Sequence, residues 1–253
     1  MILKNSLKFG SALLLCLTLS AQAQETPEQK RAKDWENFQK MLEERYHKDW
    51  AWKNRYKGDN AKLTAPKSEK RIIFLGNSIT EGWINTDADF FKGKPYVNRG
   101  IGGQTTPQML VRFRQDVIEL KPAVVVILAG INDIAENTGP STTAEIAGNI
   151  FSMAELAKAH GIKTILSSVL PARAFPWNLK IDPRDSITKL NGLLKAYAIK
   201  NKLQYIDYYS KMVNEEHGMK GDLASDGVHP NLAGYKIMEP LAEEKIKVAI
   251  GSK

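Results

Sequence analysis

Beyond Arg71 the chain alternates short, uniformly apolar runs with stretches of helical periodicity, and this alternation limits the fold more than any other feature. Ile72-Ile73-Phe74-Leu75, closed by Gly76, and Val124 to Leu128, closed by Ala129-Gly130, are apolar at every position rather than at every second one. A strand facing water on one side would alternate, so these runs predict a mostly parallel sheet with both faces covered. Tyr96-Val97-Asn98, Thr164 to Val169 and Gln204 to Tyr208 are the other strand candidates. Between them, Thr106-Pro107 opens a helix with Leu110, Phe113, Val117 and Leu120 on one face, its proline placed where a missing N–H is harmless. Thr142 and Glu145 form a capping box ahead of Ile146, Ile150, Met153 and Ala157, and Gly161 stops that helix. A further helix carries Ile187, Leu190, Leu194 and Tyr197, and the last runs from about Leu232 towards Ile250. The fold class is α/β.

The first part of the chain is different. Lys4 and Lys8 precede an apolar run, Ala12 to Leu19, and Ala21-Gln22-Ala23 is a small-x-small cleavage site, so residues 1–23 read as a secretory signal peptide. The run is shorter than the roughly 20 residues that cross a bilayer, which predicts a mature chain not inserted in a membrane and acting in the periplasm or medium. Cys16, the only cysteine, lies in this leader behind Leu13-Leu14-Leu15, without the small residue that lipoprotein processing requires, and its removal leaves neither disulfide nor thiol nucleophile. Residues 24–66 form a charged arm and linker, with Trp35, Phe38, Leu42 and Tyr46 at helical spacing and Trp50, Trp52 and Tyr56 after them. That arm is expected to lie across the outside of the main domain, residues 67–253; its aromatics would otherwise line a cleft or a partner surface. The net charge of +8 is scattered rather than gathered into basic runs, which argues against nucleic acid as a partner.

Parallel α/β sheets bind ligands beyond the carboxyl ends of their strands. Those ends carry Gly76-Asn77-Ser78-Ile79-Thr80, then Asn98-Arg99-Gly100-Ile101-Gly102-Gly103-Gln104, then Gly130-Ile131-Asn132-Asp133, with Asp226-Gly227-Val228-His229-Pro230 near the C-terminus. Each alone is ordinary: a helix cap, a turn, a loop residue. Together they cover every role in serine-dependent acyl transfer, which needs a hydroxyl, a base, a carboxylate to orient the base, and donors for the oxyanion. Asp226 suits the imidazole by its spacing to His229; Asp133 is the other acid to consider.

These four segments, in this order, resemble the blocks of the SGNH hydrolase superfamily, the GDSL-like lipases and acylhydrolases, over about Arg71 to Ile250. The resemblance implies a three-layer α/β/α, flavodoxin-like fold around a five-stranded sheet. It implies Ser78 as nucleophile, His229 as general base and Asp226 as its partner, with an oxyanion hole made by the backbone N–H groups of Ser78 and Gly103 and the Asn132 side-chain amide. Asn77 replaces the usual aspartate before the serine, a change expected to leave the chemistry intact. Thr80 stands where a Gly-x-Ser-x-Gly elbow would have its second glycine, which argues against the α/β-hydrolase fold.

Phe175 and Trp177, after the fourth strand, are candidates for the substrate pocket or for core packing. His47, His160 and His217 have no metal-ligand spacing, and no phosphate-loop or dinucleotide motif is present, so no metal and no cofactor are expected. The first block continues Ser-Ile-Thr-Glu-Gly-Trp to Trp83, as in secreted acylhydrolases and carbohydrate O-acetylesterases, which points to small acyl groups, above all acetyl, on a small-molecule or glycan ester. A lysophospholipase or arylesterase activity fits the same residues. A non-catalytic carbohydrate-binding module is the contrasting class.

Overall fold

A computed structural model describes residues 26–63 and 70–251. The leader at 1–23 and the linker at 65–68 lie outside the described residues. The chain separates into two units, Met1–Glu44 and Arg45–Lys253. Helix α1 (Pro27–Lys48) starts in the first. Thr26 and Gln29 cap it reciprocally, side chain to backbone at 2.9 and 3.2 Å.

The second unit holds a five-stranded parallel sheet. Helix α2 (Lys57–Lys62) precedes β1 (Ile72–Gly76), α3 (Ser78–Thr86), β2 (Tyr96–Gly100), α4 (Thr106–Asp116) and β3 (Val124–Leu128). Then come α5 (Ile131–Ile134), α6 (Thr143–Ala159), β4 (Lys163–Ser167), α7 (Arg184–Lys200), β5 (Gln204–Ile206), α8 (Tyr209–Met212) and α9 (Leu232–Gly251). The strand order is β2-β1-β3-β4-β5, every pair parallel. All residues of β1 and β3 are buried, as their unbroken apolar sequence requires, and flanking helices cover the sheet.

Two strands end earlier than their apolar runs. Val169 leaves the sheet because the Asn191 side chain takes both its N–H (2.7 Å) and its carbonyl (3.0 Å). β5 stops at Ile206 because Asp207 caps the next turn, accepting from the Ser210 N–H at 3.0 Å. β2 runs two residues further than Tyr96-Val97-Asn98, paired through Gly76↔Gly100.

An aromatic cluster fixes the edge of the sheet that matters for function. Trp83 of α3 stacks on Phe90 at 4.8 Å and on Tyr235 of α9 at 5.3 Å, and Phe74 meets Trp83 edge-on at 5.7 Å. Offset and edge-to-face rings add to the stabilisation that burial already provides. The Tyr235 hydroxyl also donates to the Ile79 carbonyl at 2.8 Å, so α9 is bolted to the first turn of α3. That joint sets the start of α3 relative to the loop that enters α9.

Candidate active site

In the order 2-1-3-4-5 the succession of strands turns back between β1 and β3, and the crevice beyond such a switch point is where sheets of this kind place ligands. Ser78 follows β1 there. A Cβ on Gly76 would come within 2.8 Å of the Leu128 carbonyl and into Thr80, so only glycine lets the chain turn this tightly into α3. Asn77 is the N-cap, its Oδ1 accepting from the Ile79 N–H at 3.0 Å, a bond that an aspartate would make equally. Ser78 is therefore the first residue of α3, where a helix leaves its N–H without an internal acceptor and its dipole favours negative charge.

The Ser78 hydroxyl lies 2.9 Å from His229 Nε2, and His229 Nδ1 lies 2.6 Å from Asp226 Oδ2. The second Asp226 oxygen accepts from the backbone N–H groups of Val228 (2.9 Å) and His229 (2.8 Å), so one short loop, turned at Gly227 with φ +77°, carries both groups in fixed relation. Partial burial pushes the Asp226 carboxyl up, but the bonds from the His229 ring and from the two backbone N–H groups outweigh it and hold the group at about 2.

Asp133, the other acid considered, is engaged elsewhere. It is buried, and its oxygens accept from the Thr106 N–H at 2.9 and 3.0 Å and from the Thr106 hydroxyl at 2.5 Å. Burial raises its pKa against those bonds. It secures the start of α4 behind the Gly103 loop rather than the imidazole.

Gly103 adopts φ +75°, a left-handed conformation natural to glycine, in the loop between β2 and α4. Its carbonyl accepts from Asn137 Nδ2 at 3.3 Å. Asn132, at the start of α5, is buried and donates one amide hydrogen to the Gln104 carbonyl at 3.0 Å, which leaves its second amide hydrogen for another acceptor. Gln104 is the joint of this region: its Nε2 donates to the Ala51 carbonyl at 2.7 Å and its Oε1 accepts from Arg112 Nε at 2.5 Å. Arg112, wholly buried, also donates to the Gly76 carbonyl at 3.0 Å and pairs with Asp116 at 3.0 Å. One guanidinium thus spans the end of β1, two residues before Ser78, and the loop that carries Gly103.

Phe175 is fully buried and belongs to the core, stacked behind Trp177 at 5.2 Å. Trp177 is half-buried, its ring 5.9 Å from that of His229, and its Nε1 donates to Asn137 Oδ1 at 3.1 Å. Asn137 therefore links Trp177 to Gly103. Neither Asn137 nor Arg112 stands out in the sequence, because an asparagine in a loop and an arginine in an amphipathic helix are ordinary there. His47, His160 and His217 are exposed, and the described residues contain no cluster of three or more potential metal ligands.

Fold and site together define an ester-cleaving enzyme of three-layer α/β/α architecture. Residues 74–237 match the GDSL-like lipase/acylhydrolase family, and the chain belongs to it, within the SGNH superfamily. A crystallised acylhydrolase candidate from Bacteroides fragilis is 54% identical, with a TM-score of 0.78 over 79% of this chain and 98% of that one. Esterase TesA of Pseudomonas aeruginosa is 28% identical over 184 residues, 68% of this chain and 85% of its own. An acetylxylan esterase of Xylanibacter ruminicola is 28% identical over 224 residues, 73% of this chain but 45% of that longer protein.

Proposed function

We propose that the protein is an exported serine esterase that removes small acyl groups, acetyl in particular, from an alcohol such as a glycan hydroxyl. The observation that carries this reading is the unbroken series from Ser78 Oγ through the imidazole to Asp226, at 2.9 and 2.6 Å. Asp226 holds the proton on Nδ1, which leaves Nε2 free to accept the Ser78 proton as the oxygen attacks the ester carbonyl. The C–O double bond opens to an oxyanion facing the N–H groups of Ser78 and Gly103 and the second amide hydrogen of Asn132. His229 then returns the proton to the departing alcohol, and water, deprotonated by the same imidazole, releases the acid from Ser78. No step calls for a cofactor.

The acetyl preference is supported by the similarity to the acetylxylan esterase, and Trp177, with its ring 5.9 Å from that of His229, is the large side chain beside the reacting groups. The leader read at residues 1–23 supports export. No helix among the described residues is long and apolar enough to cross a membrane. Leu179 (77% exposed) and Leu232 (51%), close in sequence to Trp177 and His229, favour a second reading, a lysophospholipase-type acylhydrolase taking longer acyl chains at an apolar rim.

A p-nitrophenyl ester series from acetate to laurate separates the two. Turnover concentrated on acetate and butyrate is the expected result; a rise towards laurate would replace the acetyl reading with the second. Hydrolysis of none, without fluorophosphonate labelling, would leave a carbohydrate-binding module as the better account. Asn132→Ala should lower kcat by about 10²–10³, the usual cost of one oxyanion donor. An unchanged kcat would remove Asn132 from that role.

A further inference from the structure

We propose that Glu81 is a positioning residue that sets the oxyanion loop against the nucleophile. This rests on the reading of Ser78 and Gly103 given above. Glu81 lies one turn after Ser78 on α3, and its Oε2 accepts from the Gly102 N–H at 2.8 Å. Gly102 immediately precedes the glycine whose own N–H is assigned to the oxyanion. A Cβ built on Gly102 would stand 3.0 Å from Glu81 Oε2 and 3.9 Å from the Ser78 Cβ, so the contact and the nucleophile share one small space.

Close packing makes the contact possible. A Cβ on Gly100 would come within 2.7 Å of the Glu81 Cα, so the end of β2 can press directly on the backbone of α3 only as glycine. The Asn98 side chain locks that approach, donating to the Thr80 carbonyl at 2.5 Å while accepting from the Gly100 N–H at 2.9 Å. With the backbones in contact, the Glu81 side chain reaches the next free N–H of the loop. Arg55 Nη2, 3.5 Å from Glu81 Oε1, holds the carboxylate from outside, its guanidinium lying over the Tyr56 ring at 4.8 Å. The Tyr56 hydroxyl donates to the Gly100 carbonyl, so the segment before α2 braces both sides of the contact.

A carboxylate beside a developing oxyanion would oppose it, and Arg55 and the N-terminal end of α3 offset that charge. What Glu81 supplies is therefore an acceptor at a defined place, and a neutral acceptor of the same reach should serve. Glu81→Ala is expected to lower kcat by about 10- to 100-fold with KM within about threefold, since a misplaced donor costs rate more than ground-state binding. Glu81→Gln should retain at least about a third of kcat, because its carbonyl oxygen accepts the same hydrogen. Gly102→Ala should reproduce the Glu81→Ala loss, and the double variant should add little to either, as for two groups acting through one contact.

Hydrogen exchange gives a readout independent of turnover: the peptide spanning residues 100–106 should exchange faster in Glu81→Ala and as in the wild type in Glu81→Gln. A Glu81→Ala enzyme within threefold of wild-type kcat, or a Glu81→Gln enzyme as slow as Glu81→Ala, would overturn the proposal. A wild-type protein that hydrolyses no ester would sink the reading of Ser78, and exchange at 100–106 would still decide whether Glu81 holds the loop.

Discussion

Ser78→Ala is expected to lose turnover by about 10⁴–10⁶ on any ester the wild type cleaves, because members of a nucleophile-base unit fail together when one is removed. KM should change little, since the hydroxyl is a small part of the surface that binds the ground state. The helix should survive, because its cap is Asn77 and the α9 joint is made through the Ile79 carbonyl, neither of which uses the Ser78 side chain. A melting temperature close to the wild-type value therefore belongs to the same prediction. Fluorophosphonate labelling should vanish with turnover, as phosphonylation forms a bond to Oγ. A folded Ser78→Ala protein keeping even about one per cent of wild-type kcat would mean that another group attacks the ester, since the residual contributed by binding and oxyanion donors is far smaller.

The second large effect is expected at Asp226. Its Oδ2 accepts the Nδ1 proton of His229 at 2.6 Å, which dictates the tautomer with Nε2 as an acceptor facing Ser78. Asp226→Asn can present an amide N–H to Nδ1 instead, favouring the opposite tautomer, and the loss should be of the order of 10⁴ in kcat, as for the corresponding change in serine proteases. The sign of the pH dependence follows from the depressed carboxyl. With its pKa at about 2, Asp226 stays ionised throughout the range above about pH 4 where an unperturbed aspartate would also be ionised. Its contribution to the folded state is complete there and disappears only as the pH falls through about 2. Any acid limb of kcat/KM seen above about pH 4 should therefore not report this carboxylate. A limb that disappears in Asp226→Asn while the plateau stays at the wild-type level would contradict this.

Much of this molecule is legible locally. Buried parallel strands must be apolar throughout, so β1 and β3 announce themselves, and Gly76 and Gly103 mark turns that side chains forbid. The capping box at Thr142 and Glu145 appears as read, since it depends on residues three apart. A second box, Thr105 with Gln108, begins α4 one residue before Thr106-Pro107. Asp226 and His229 share one loop, so their pairing too could be argued from spacing.

Other features depend on chain segments that meet only in the folded state. Ser78 and His229 are far apart in sequence and join because the aromatic contact between Trp83 and Tyr235 docks α9 against α3. Asp133 sits beside Asn132 and is a second acid to weigh on paper, though less favoured by spacing than Asp226; in the fold the Thr106 N–H and hydroxyl claim it. Phe175 and Trp177 look alike in sequence, yet one is sealed in the core and the other stands beside His229. The sequence by itself determined the strands, the turns and the candidate reactive groups, because periodicity, glycine sterics and side-chain chemistry are local properties. Only the tertiary structure decided that Asp133 is spent on Thr106 and that Arg112, Gln104 and Glu81 hold the loop, because a buried hydrogen bond goes to whichever partner packing brings within about 3 Å.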